Sequence, residues 1–364
     1  MERIGVCPGL SISPQAGGLP QGPLGCGGAE LGSKKLRLTM DGELITAIAA
    51  AAQPLETYEP LLNAIGDSRF VLLGEATHGT EEFYEIRVEL TRRLVSERGF
   101  SVVLIEGEWP AAYRLNRYIG ATETTDTSAV QAVSGFTTFP KWMWSNPAIV
   151  HLADTLRAHN VERRARLQDH EAAASARDEF LAAGATEEQL KEAGIASREE
   201  IEAASAQAGR PVSMYGLDVY SVQMSARAVV EFLEVVDPDA AALARERYSV
   251  LTAVGGVCGA EEEEGSMHTY GRRVALGDLK PMAEEIQRNL LATLGDLQRQ
   301  NREAYSLLMS PADCLSAEQN AEVVVNGEAY FRGLYEDGSV ATWNLRDQHC
   351  ARGEDNYRCP ATRT

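Results

Sequence analysis

The chain has 364 residues, with 53 Asp and Glu against 34 Lys and Arg, a formal net charge of −19. That balance argues against general nucleic-acid binding, which needs a basic face against the phosphates, and against docking on anionic membranes. Hydrophobic residues make up 44% of the chain, ample for a globular core, yet no run of about 20 apolar residues exists to cross a membrane.

Met1–Lys35 is rich in Gly, Pro and Ser, has no apolar period, and lacks a charged start followed by an apolar block. Residues 1–39 therefore read as a disordered extension outside the fold without a signal peptide, and Met40 opens the first periodic sequence as an alternative start. Cys7, Cys26, Cys258, Cys314, Cys350 and Cys359 are scattered, with no CxxC pair. Reduced thiols in a cytoplasmic protein are the expectation.

Residues 40–349 read as one α/β domain. SRFVLLGE (Ser68–Glu75) is a short apolar run, the pattern of a buried strand. Thr80–Arg98 places Phe83, Ile86, Leu90 and Leu94 three and four apart, an amphipathic helix with Thr80 as N-cap and Gly99 as its end. SVVLIE (Ser101–Glu106) is a second buried strand, and a strand–helix–strand crossover favours parallel pairing. Glu162–Gln207 is charged and Ala-rich, and reads as solvent-facing helices inserted as a hairpin. Pro211–Leu217 is a third strand, again followed by an acid, Asp218. Helices are expected over Val219–Val236, Leu279–Leu294 and Glu318–Tyr335, a solvated loop at Glu261–Glu264, and an irregular tail over residues 350–364.

In open α/β sheets ligands collect beyond the carboxyl ends of the strands. Glu75 and Glu106 end two strands that the crossover makes neighbours or near-neighbours, and His78 lies in the turn opening the helix. A histidine at a helix N-terminus meets a positive partial charge that favours neutral imidazole, which can take a proton from water. A carboxylate beside it orients the ring and stabilises the imidazolium. Arg87, two and a half turns along the helix, has the reach to join this rim; a salt bridge on the helix face is its other reading. Glu106 alone also reads as a helix cap. Trp142 and Trp144, alternating in FPKWMW, suit the wall of an apolar pocket and equally suit a core. The other histidines have no metal-ligand spacing, and no metal or other cofactor is expected.

GEATHGTEEFYEIR (Gly74–Arg87) resembles the erythromycin esterase family, as do IEGEWPAAYRLNRY (Ile105–Tyr118), FPKWMW, YGLDVYS (Tyr215–Ser221), QNAEVVVNGEAYFR (Gln319–Arg332) and WNLRDQH (Trp343–His349). These segments stand in family order from about Leu61 to His349, apart from the insertion at 162–207. The resemblance implies a mostly parallel sheet flanked by helices, with helical insertions over the cleft. It implies hydrolysis of a small-molecule ester, in the named members the macrolactone of a macrolide antibiotic. His78 matches the histidine that activates water, and Glu75, Arg87 and Glu106 match charged residues of the cleft. No serine nucleophile is implied, and the chain has no GxSxG. Family members continue into a further strand with a histidine-rich motif, so the C-terminal part of the family fold is expected to be missing. Two other functions are weighed beside hydrolysis: an inactive ligand-binding relative, and a metal-dependent hydrolase using His78, Glu75 and Glu106.

Overall fold

The fold is that of a computed structural model, which describes residues 4–7, 45–46, 49–50, 52, 57–74, 77–122, 124–137, 141–253, 260–278, 280–300, 305–336 and 338–356. The chain divides into two compact units, Ser11–Asp67 on the one hand and Met1–Leu10 with Ser68–Thr364 on the other. Within the smaller unit, helix α1 (Glu59–Ile65) carries a proline in its first turn, where a missing N–H is not needed for the helix. The sheet, the helices around it and the candidate site belong to the larger unit.

Four parallel strands, β1 (Ile4–Cys7), β2 (Phe70–Leu72), β3 (Val102–Glu108) and β4 (Ser213–Asp218), lie in the order β2-β1-β3-β4. The expectation that the first 39 residues stay outside the fold fails at Ile4–Cys7, whose apolar IGVC runs between β2 and β3. The two strands of the crossover are therefore near-neighbours, separated by one strand. The sheet is small, and the fold is mostly helical rather than a broad doubly wound sheet.

Helix α2 (Glu81–Arg98) returns the chain from β2 to β3. Thr80 holds the N-cap position without a side-chain cap bond, and Gly99 ends the helix in the left-handed conformation, φ +70°, its N–H donating to the Val95 carbonyl and that of Phe100 to the Leu94 carbonyl. Alternation along β3 feeds two cores. Val103 and Ile105 pack with Tyr84 and Val88 of α2, with α3 (Trp109–Ile119), and with the start of α5 (Pro147–Ala182). Val102 and Leu104 pack with Trp109, Leu217 and Val323 on the other face. Trp109 fixes that second face: its ring stacks on Tyr215 at 5.3 Å and its Nε1 donates to Ser316 Oγ at 3.2 Å. Short α4 (Ala129–Val133) completes the first core.

The insertion differs from a separate hairpin. Its first arm continues the 36-residue α5, capped by the Asn146 side chain, and α6 (Glu187–Glu192) and α7 (Arg198–Gln207) follow, each opened by a capping box. It is not wholly solvated, because Arg177, Leu190 and Ile201 are buried. After β4 come α8 (Val222–Val236), α9 (Pro238–Ala253), α10 (Ala260–Ala275), α11 (Lys280–Gln300) and α12 (Pro311–Glu336). Residues of all five contribute to one core, among them Val229, Tyr248, Tyr270, Leu290 and Phe331. Glu261–Glu264, expected as a loop, lies in the first turns of α10. Glu is a good helix former, and negative charge suits a helix N-terminus. The tail expected to be irregular from Cys350 is helical as far as Asn356, the end of α13 (Ser339–Asn356). Among the described residues no helix is long and apolar enough to cross a membrane.

Candidate active site

The carboxyl ends of β3 and β4 meet at a register irregularity. Pairing shifts between Ile105 and Glu108, so Glu106 sits two residues inside the strand end rather than at its tip. The approach there is close enough to demand glycine: a Cβ on Gly216 would lie 2.3 Å from the Gly107 carbonyl oxygen. Trp144 Nε1 donates to the Glu106 carbonyl at 2.5 Å, tying the irregular backbone to the segment before α5.

The Glu106 side chain is 16% exposed and that of Asp218, from β4, 7%. Arg346 of α13 reaches between them. Its Nη2 donates to Glu106 Oε1 at 2.5 Å and to Asp218 Oδ2 at 2.7 Å, while Nε donates to Asp218 Oδ1 at 3.1 Å. The guanidinium also lies 5.0 Å from the Tyr220 ring. Asp218 Oδ1 further accepts from the Val219 N–H at 2.8 Å. Glu106 Oε2 is buried and has no hydrogen-bond partner among the described residues. Burial pushes the Glu106 carboxyl above its ordinary range and Asp218 adds to that, while Arg346 and His78 pull it back. Arg346 is held more firmly protonated, because its two carboxylates outweigh its burial. One turn on, Cys350 donates to the Leu217 carbonyl at 3.3 Å, and burial pushes its thiol up to about 12. This thiol is inert at neutral pH.

His78 lies in the turn before α2, near enough for its charge to act on Glu106. Gly79 follows at φ +87°, where a Cβ would meet the Trp142 ring at 3.5 Å. Glu75 falls outside the described residues. Arg87 is buried on α2 with its guanidinium 5.2 Å from the Tyr84 ring and 5.9 Å from that of Trp144, whose indole N–H bonds the Glu106 carbonyl. The two tryptophans part company: Trp144, at 5% exposure, is a core residue and not a pocket wall, whereas Trp142, at 43%, faces a cleft. That cleft, about 650 Å³, runs between α2 and the start of α5. Tyr84, Val88, Trp142, Pro147 and Ala148 line it, with Glu81, Glu85, Glu89 and His151. Gly79 and Trp142 join it to the His78 turn; Glu106 lies outside its lining.

Asp218 and Arg346 are the site residues that strand-end reasoning left out. Asp218 carries a signal, an acid closing an apolar strand, and Arg346 lies in WNLRDQH, one of the segments of the family resemblance, though mid-helix and with nothing local to mark it as part of the rim. Among the described residues no three His, Cys, Asp or Glu side chains are grouped to hold a metal ion. The space between Glu106 and Asp218 is filled by a guanidinium.

Residues 95–176 and 198–353 match the erythromycin esterase family. The chain belongs to that family. The stretch between the two matched segments, 177–197, falls inside the insertion formed by α5 to α7, and residues 1–94, which include Glu75, His78 and Arg87, lie outside the match. Two solved structures share the fold. One is a succinoglycan biosynthesis protein, 17% identical, TM-score 0.51, matched over 83% of this chain and 56% of its own length. The other is a mutant of erythromycin esterase EreC in its open conformation, 15% identical, TM-score 0.51, matched over 85% of this chain and 62% of its own. The chain thus spans little more than half the length of either structure.

Proposed function

We propose that this erythromycin esterase family member is a hydrolase that opens a carboxylic ester, a macrolactone of the macrolide type among them, by His78-assisted attack of water. The observation that carries the reading is a buried carboxylate, Glu106, near the carboxyl end of a parallel strand and within electrostatic reach of His78. Neutral His78 takes a proton from water as the water oxygen attacks the acyl carbon. The resulting imidazolium is stabilised by ionised Glu106. When the tetrahedral intermediate collapses, the acyl C–O bond breaks and the imidazolium returns its proton to the leaving alcohol, giving acid and alcohol. Arg87, behind Trp144, supports the wall from which Glu106 projects. Glu75, three residues before His78 in the sequence, is the further acid that this reading assigns to the reaction. Trp142 offers an aromatic face to the apolar part of the substrate in the adjoining cleft.

The test is turnover on a panel of macrolides and simple aryl and alkyl esters, with wild type beside His78→Ala. General-base assistance is worth about 10²–10⁴ in rate, so the variant should lose at least two orders of magnitude at unchanged melting temperature. A folded variant keeping half the wild-type rate would reject His78 as the base. A wild-type chain that binds macrolides and turns over none of the panel would instead be a ligand-binding relative.

A further inference from the structure

The contacts of Arg346 point beyond the strand ends to the last helix. We propose that Arg346, braced by Asp218, is the positioning residue that holds the Glu106 carboxylate charged and in one orientation beside His78. This rests on the hydrolase reading above for its kinetic consequences, though not for its chemistry.

The argument starts from what Glu106 would be without the arginine. Its side chain is buried, an acid stands opposite on β4, and burial favours the neutral form. A neutral carboxyl has no charge with which to stabilise an imidazolium. The groups facing it are Asp218 from β4, Arg346 and Cys350 from α13, and His78 from the turn before α2. Of these, Cys350 is neutral and Asp218 has the wrong sign. Arg346 is therefore the standing positive charge among them, present whether His78 is protonated or not.

Geometry supplies the second half. Arg346 spends Nε and Nη2 on Asp218 in a two-point fork, which fixes the plane of the guanidinium. Tyr220 covers that plane at 5.0 Å. From this fixed plane Nη2 reaches Glu106 Oε1 at 2.5 Å, so one carboxylate oxygen is pinned and Oε2 is left inside the rim without a partner among the described residues. A lysine has the charge but not the planar fork, and cannot hold both acids in one arrangement.

The experiment uses the whole chain with δ-¹³C-glutamate, the Glu106 signal being assigned by its loss in Glu106→Gln. In Arg346→Met the Glu106 carboxyl should titrate at clearly higher pH than in wild type. In Arg346→Lys it should titrate close to wild type, since the charge remains. On any ester the wild type hydrolyses, Arg346→Met should lose roughly tenfold more kcat at pH 6 than at pH 9, with KM little changed. Arg346→Lys should lower kcat evenly across pH, the signature of lost aim without lost charge. A Glu106 titration identical in wild type and folded Arg346→Met would overturn the proposal, even if the protein hydrolysed no ester. If Arg346→Met does not fold, Arg346→Lys decides: wild-type kcat together with a wild-type Glu106 titration would refute positioning. Absence of turnover in wild type with the Glu106 shift intact would reject the hydrolase reading alone.

Discussion

A carboxyl whose burial outweighs its arginine is easier to protonate in the folded chain than in the unfolded one. At Glu106 the folded state binds the proton more tightly, so this group's stabilising contribution is full at acid pH and lost as pH rises through its raised folded-state value. Glu106→Gln removes that dependence while Arg346 keeps Asp218. The wild-type advantage in melting temperature over Glu106→Gln should therefore be greatest at acid pH and shrink as pH rises above the ordinary carboxylate value of 4.5 and through the raised one. A difference that does not change as pH rises would show that burial does not dominate at this carboxyl. At this scale the sequence was legible where a residue's position in its own element mattered. Glu106 and His78 were found because one lies near a strand end and the other at a helix start, both local facts. For Trp144 the sequence leaves pocket wall and core open, because burial depends on what covers a ring, and this ring packs in one core with Tyr84 and lies against Arg87 of another helix. Arg346 stands in the WNLRDQH segment, but its role is hidden for the same reason, its two acids lying 128 and 240 residues away.

Among the elements, β3 and β4 carry the most demanding packing. Gly216 faces Gly107 with no room for a side chain, and the Glu108 carbonyl would lie 2.7 Å from an added Cβ. Gly216→Ala should force the two strands apart, costing at least about 2–3 kcal/mol, the upper part of the range for over-packed cores, and displacing Glu106 with the backbone. Urea denaturation measures the cost; a loss below about 0.5 kcal/mol would mean the strands separate easily. Long periodic elements such as α2 were readable within a residue or two, because amphipathic spacing repeats often enough to be seen. Four residues of IGVC in a Gly/Pro-rich stretch repeat nothing, so β1 was missed. The acidic start of α10 was misread because charge alone does not distinguish a solvated loop from a solvated helical turn, and α13 because a polar sequence can still be helical when one edge docks.

For the whole molecule, the charge of −19 is a standing repulsion that few of the visible ion pairs relieve. Pairs such as Arg166–Glu162 and Arg299–Asp296 are exposed, each worth roughly 0–1 kcal/mol. Raising NaCl from about 10 to 300 mM shortens the screening length from roughly 30 Å to below 10 Å. Screening the net repulsion should outweigh the weakening of those pairs and stabilise the chain. Urea midpoints at the two salt concentrations test this; an unchanged or lower midpoint at 300 mM would show that the ion pairs, not the net charge, dominate.

The 240 residues between Glu106 and Arg346 are also an interval of time. At about 5–20 residues per second, the ribosome adds Arg346 roughly 10–50 s after Glu106. For that interval β3 and its acid exist without the guanidinium, and once β4 is made, Glu106 and Asp218 face each other with no arginine between them. A nascent chain holding only the sheet cannot close its strand ends tightly. Closure of these strand ends waits for α13, which arrives long after the sheet it completes.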